Sequence, residues 1–145
     1  MAKTILLLED TERQRLRLTK ILEAAGYIVI AFEHPNLARA HYKRNEGIAI
    51  NAIVSDWDMG RGKMNGFDLL QTVRHGSYER PNYKSKIPKD IPFIMCSSYD
   101  PSNNTEKKYK EKALQHGADM YQCKSSQYSL EPMITYLNSK LKNEP

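Results

Sequence analysis

Five short apolar runs punctuate the chain: "TILLL" (4–8), "YIVIAF" (27–32), "IAINAIV" (48–54), "IPFIMCS" (91–97) and "DMYQC" (119–123). Most are continuous rather than alternating, the pattern of parallel strands covered on both faces. Between them apolar residues recur at helical spacing. From Thr11 to Ala25, Leu18, Ile21, Leu22 and Ala25 share one face, Thr11 and Gln14 have the spacing of a capping box, and Gly26 supplies a stop. Segments 34–45, 67–74, 105–116 (closed by Gly117) and 130–142 (with Leu130, Met133, Ile134, Leu137 and Leu141) repeat the alternation. A chain of βα units predicts a doubly wound α/β sandwich, with any ligand outside the carboxyl ends of the strands. Segments 75–90 and 99–105 break the rhythm and read as surface loops.

The 145 residues fit one domain spanning 1–145, large enough to bury a core. No apolar run approaches the roughly 18–20 residues of a membrane span. The opening "MAKTILLLEDTERQ" meets acid too early for a signal peptide, so the expected location is cytoplasmic, without membrane insertion. Cys96 and Cys123 each end an apolar run, where a small buried thiol is the expected state. The formal charge of +5 raises nucleic acid as a partner, but no helix-turn-helix pattern, zinc-ligand spacing or aromatic RNA-binding signature accompanies it. Nucleic acid is therefore not an expected partner. Lys107, Lys108, Lys110 and Lys112 cluster on the fourth helical segment, either to steer an acidic partner or as a solvated face. That helix has only Tyr109, Ala113 and Leu114 as apolar anchors, which suits an element of low local stability.

Polar residues finish the runs in a particular order. The first ends in Glu9-Asp10, the third in Asp56 with Asp58 beyond it, the fourth in Ser97-Ser98 and the fifth in Lys124. In a doubly wound sheet these share one rim. Carboxylates about 5 Å apart repel by roughly 3 kcal/mol per pair at an effective dielectric near 20. Raised pKa values, or a hard divalent cation with oxygen ligands, would offset that repulsion. A lysine and a hydroxyl on the same rim suit a phosphoryl group. Singly, each residue has a plainer role as a cap, a turn residue or a solvated end; the constellation is what points to chemistry.

The stretches "ILLLED", "IVSDWDM…MNGFDLL", "IPFIMCSS" and "HGADMYQCKS" resemble the receiver domain of two-component response regulators, over about residues 3–142. The resemblance implies a flavodoxin-like five-stranded parallel sheet of order 2-1-3-4-5 with helices on both faces. It implies Asp56 as phosphoacceptor, taking a phosphoryl group from a histidine kinase or histidine phosphotransfer protein, with a downstream protein as target. Asp10, Asp56 and the main-chain carbonyl of Asp58 would hold Mg²⁺, with Glu9 acting mainly through a bound water. Ser97 and Lys124 would bond phosphoryl oxygens, and Tyr121 would be the aromatic switch that turns inward when Ser97 moves. Such a domain catalyses its own phosphotransfer and autodephosphorylation without being a turnover enzyme. The chain departs from the family pattern in Gly60, where proline is usual, in a loop "MGRGKMNG" about two residues longer, and in Ser125, where a cis proline usually follows the lysine. Asp58 and Tyr99 occupy positions at which the family tunes phosphoryl lifetime. Two other readings are a pseudo-receiver that works without phosphorylation and a haloacid-dehalogenase-type phosphatase. Motif order opposes the second, whose Asp-x-Asp usually follows the first strand.

Overall fold

In the computed structural model, residues 2–38, 49–60, 64–75 and 87–142 are described. Five parallel strands, β1 (Thr4–Leu8), β2 (Ile28–Phe32), β3 (Ala52–Ser55), β4 (Phe93–Ser97) and β5 (Met120–Cys123), form one sheet of order β2-β1-β3-β4-β5. The helices are α1 (Glu12–Ala24), α2 (helical from 35 to 38), α3 (Gly66–Arg74), α4 (Lys107–Gln115) and α5 (Glu131–Leu141). The remainder of the helix expected over 34–45, most of the loop expected over 75–90 and positions 61–63 of the long loop lie outside the described residues. Among the described residues no helix is long and apolar enough to cross a membrane.

The unbroken apolar runs have a simple cause: alternate residues supply two different cores. Leu6, Leu8, Ile53, Phe93 and Met95 face one side, packing with Phe67, Leu69, Leu70 and Val73 of α3 and Ala113 of α4. Ile5, Leu7, Ala52, Val54, Ile94 and Cys96 face the other, against Leu18 and Leu22 of α1 and Met133, Ile134 and Leu137 of α5. Both cysteines are buried free thiols, and burial pushes the Cys96 thiol up to about 12. Leu114, expected to anchor α4, is instead 41% exposed, leaving Ala113 as that helix's buried residue.

Strand boundaries differ from the apolar runs for local reasons. β3 begins only at Ala52, because the Asn51 side chain, rather than a ladder carbonyl, accepts the Thr4 N–H at 2.8 Å. β4 begins after Pro92, which has no N–H to give. The capping box is not formed either. Thr11 is the N-cap of α1 without a side-chain bond, Gln14 accepts from Arg17 at 3.1 Å, and the Thr11 N–H turns back to Glu9 Oε2 at 3.3 Å. Gly26 and Gly117, at φ +98° and +107°, end α1 and α4 in the left-handed conformation that other residues resist.

Arg74, the last residue of α3, ties the opposite edge of the sheet together. Its guanidinium donates to the carbonyls of Gly117, Lys89 and Ile91 at 2.7–2.8 Å and to Asp119 Oδ2 at 3.0 Å. The same Asp119 oxygen accepts the Phe93 N–H at the start of β4. Arg74→Ala is expected to cost about 2 kcal/mol, a few charge-assisted bonds discounted for partial solvent access. At this chain length that is a fall of about 4–8 °C in Tm, measurable by thermal unfolding. A shift below about 1 °C would show that water replaces the clamp.

Candidate functional site

The sheet's register brings the predicted residues to one level. Leu8 pairs with Ser55, so Glu9 and Asp56 follow side by side, and Ser97 pairs with Cys123, so Lys124 lies just beyond. The ladder continues past the strands to hold them. Glu9 N–H donates to the Phe32 carbonyl at 3.0 Å, Asp56 N–H to Leu8 at 2.9 Å and Lys124 N–H to Ser97 at 2.9 Å. Two arginines of α1 lock the flanking turns. Arg15 donates to the Glu9 carbonyl at 2.9 Å, and Arg17 donates to the Lys124 carbonyl at 3.1 Å.

Lys124 is the centre of charge. Its Nζ bonds Glu9 Oε1 and lies 2.9 Å from Asp56 Oδ2, with Ser125 rather than proline following and no cis peptide bond among the described residues. Asp56 Oδ1 accepts the Trp57 N–H at 2.7 Å. Glu9 is fully buried and Lys124 and Asp56 nearly so, at 6% and 9% exposure, while Asp10 is open to solvent. One carboxylate oxygen each from Glu9, Asp10 and Asp56 lie within 4.8 Å of one another. Burial, and then the Asp56 charge, raise the Glu9 pKa despite Lys124. Burial also raises Asp56, with Lys124 pulling the other way. For Asp10 the causes are burial and then the neighbouring Glu9. Burial works against the Lys124 ammonium, but Asp56 and Glu9 together outweigh it and hold its pKa above the ordinary lysine value. One lysine ammonium thus faces three carboxyl groups whose pKa values are all raised by burial and, for Glu9 and Asp10, by a neighbouring carboxyl group.

Ser97, 1% exposed, accepts the Tyr99 N–H through its hydroxyl at 3.4 Å. Tyr121 lies inward, 7% exposed, and its hydroxyl donates to the Tyr99 carbonyl at 2.6 Å. The Asp58 side chain is turned away from the acidic cluster and accepts the Tyr99 hydroxyl at 2.5 Å. Trp57 is buried against Phe67, with stacked rings 5.2 Å apart, and meets Tyr109 edge-on at 5.0 Å. Gly66 explains how α3 comes so close. Its N–H donates to the Trp57 carbonyl at 2.7 Å, and a β-carbon there would overlap the Asp56 carbonyl oxygen.

The family model described as "Response regulator receiver domain" matches residues 5–134. The chain is a receiver domain. No curated protein sequence matched it. Solved receiver structures share its fold at low identity. A chemotaxis protein of Vibrio cholerae, CheY4, is 21% identical, with 97% of this chain and 100% of that one covered and a TM-score of 0.69. The receiver domain of a Pseudomonas aeruginosa sensor histidine kinase, solved with magnesium in its active-site cleft, is 18% identical over 99% and 100% of the two chains, TM-score 0.70. The response regulator TrrA of Thermotoga maritima, solved with Mg²⁺ and beryllium fluoride, is 18% identical over 96% and 99%, TM-score 0.68.

Of the positions expected from the sequence, the receiver's rim gathers the side chains of Glu9, Asp10, Asp56 and Lys124, with Ser97 and Tyr121 linked to one another through Tyr99. The sequence reading missed Arg15, Arg17 and the close approach at Gly66. Gly66 carried a signal, a glycine at the start of an amphipathic helix right after the glycine-rich loop that follows Asp56. Nothing in the spacing of the arginines ties α1 to the end of β5.

Proposed function

We propose that this receiver domain takes a phosphoryl group onto Asp56 from a phosphohistidine of a histidine kinase or phosphotransfer protein, and switches conformation to control a protein partner in the cytoplasm. The observation that carries the reading is the Asp56 carboxylate, nearly buried yet reachable, bonded to Lys124 and within 4.8 Å of two further carboxylates. An excess of hard oxygen donors around a nucleophile fits a divalent cation such as Mg²⁺, held by Asp10 and Asp56 with Glu9 behind them. When bound, the cation would neutralise charge on the transferring group.

The chain's own residues then have defined tasks. An Asp56 oxygen forms the new P–O bond as the P–N bond of the donor breaks and its imidazole departs. The Trp57 N–H fixes the carboxylate through its other contact, so positioning compensates for weak nucleophilicity. Lys124, already beside Asp56, moves its bond to a phosphoryl oxygen. Beside it a cavity of about 450 Å³, lined by Arg13, Arg17, Ser98, Ser125 and Ser126, offers an anionic donor a positive approach. Ser97 bonds the phosphoryl group from the other side, and the pull reaches Tyr99 and Tyr121 through the bonds they share.

Trp57 is the chain's single tryptophan and adjoins Asp56, so its fluorescence reports the site. Addition of Mg²⁺ and then beryllofluoride, which stands in for the aspartyl-bound phosphoryl group, is expected to change the emission in two steps. Asp56→Ala is expected to lose the second step entirely. A folded parent protein silent to both would refute the phosphoacceptor reading and favour the pseudo-receiver.

A further inference from the structure

The groove between α3 and α4 is not used by phosphotransfer. It encloses about 530 Å³ and is lined by Trp57, Phe67 and Tyr109, with Lys108 and Lys112 along the α4 side and Asn65 and Asp68 at the α3 side. We propose that this groove docks an acidic segment of a protein partner, which lays one aromatic or large aliphatic side chain against half-buried Tyr109 and the accessible edges of the Trp57 and Phe67 rings while its carboxylates meet Lys108 and Lys112.

Charge selects this occupant. The nine residues of α4 hold four lysines against one glutamate. Among the described residues Lys108 and Lys112 make no salt bridge; their ammonium groups lie over the Tyr109 and Phe67 rings, at 5.5 and 4.7 Å from the centroids. Cations parked on aromatic faces have donors left for a carboxylate, and the pair of contacts together recognises a charge next to an apolar group. Asp68 is the one acid in the lining and sits in the first turn of α3. It repels an acidic ligand from that side and so orients the segment with its carboxylates toward α4. The volume suits a single large side chain with its flanking backbone, the usual form of a peptide anchor.

The groove also adjoins the phosphoacceptor. Trp57 forms its floor and donates its N–H to Asp56 Oδ1, and Tyr109, on its wall, is stacked at 3.6 Å on Tyr99, whose N–H bonds Ser97. Docking itself does not depend on phosphotransfer, but its modulation rests on the function proposed above.

The probe is a seven-residue peptide of alternating glutamate and aspartate with a central phenylalanine, free of tryptophan and blocked at both ends. Titrated into the protein, it is expected to change Trp57 emission saturably and to shift the amide resonances of α3 and α4. Lys108→Glu/Lys112→Glu is expected to weaken binding about tenfold or more, whereas Lys110→Glu, on the same helix outside the lining, changes it less than about twofold. A peptide with alanine in place of phenylalanine is expected to bind at least about fivefold more weakly. Equal losses in both lysine variants, equal binding of the alanine peptide, or no saturable resonance shift would each overturn the proposal. With beryllofluoride bound, the peptide's affinity is expected to change by about threefold or more. An unchanged affinity in protein whose Trp57 responds to beryllofluoride alone would remove the coupling; a Trp57 silent to beryllofluoride would instead indict the phosphoacceptor reading.

Discussion

Gly66→Ala is expected to destabilise the protein by about 3 kcal/mol or more, a fall of roughly 6–12 °C in Tm, and to impair beryllofluoride binding at Asp56. A general rule predicts the opposite sign, since alanine is favoured over glycine in helices by up to about 1 kcal/mol. Close approach decides against it. The added carbon would overlap the Asp56 carbonyl oxygen and lie 2.9 Å from the carbonyl carbon and 3.1 Å from Ser55 Oγ, which itself donates to that same carbonyl at 2.9 Å. A backbone carbonyl cannot swing aside as a flexible side chain can. Relief requires either that α3 retreats, breaking the Gly66–Trp57 bond and loosening Phe67, Leu69 and Leu70 in the core, or that the Asp56 peptide rotates and carries the phosphoacceptor with it. The first route appears in thermal unfolding and the second in beryllofluoride titration of the folded variant. Unchanged values in both would show that the contact relaxes without consequence.

That position marks where the sequence stops being legible. The apolar runs located all five strands, most plainly the central β1, β3 and β4, whose alternate residues feed two cores; the edge strands are less complete, with Ile28 of β2 exposed and Gln122 of β5 buried among apolar residues. The rim was legible too, since the polar residues that follow each run lie where the strand ends, as Glu9, Asp56 and Lys124 do. Less legible was anything set by contact between segments distant in sequence. That Glu9 is fully buried and bonded to Lys124, a partner 115 residues away, is a contact no spacing announces. The Thr11 and Gln14 pair had the right spacing for a cap, but Glu9 and Arg17 engage the same groups first. Pattern rules see local competition poorly, and they cannot see that Arg17 reaches across to the end of β5.

The buried charges give the second large effect. Lys124→Met is expected to cost about 3 kcal/mol at pH 7.5 without divalent cations, the lower end of the range for removing one partner from a buried ion pair, because Asp56 retains an accessible edge. The pH dependence identifies the cause. Glu9 and Asp56 already have pKa values raised by burial, with Lys124 pulling them down; its removal raises them further. A carboxyl whose folded pKa exceeds its unfolded one binds more protons when folded, so stability grows as pH falls through the raised folded value toward the ordinary carboxylate value near 4. The penalty of Lys124→Met should therefore shrink between pH 7.5 and pH 5, and Asp56→Asn in the same chain should restore most of it by removing one of the stranded charges. Urea unfolding of the parent, the single variants and the double variant at both pH values makes the comparison. A loss independent of pH, and untouched by Asp56→Asn, would mean that Lys124 holds the rim through the packing of its methylene stem and that its charge is spent on the ligand alone.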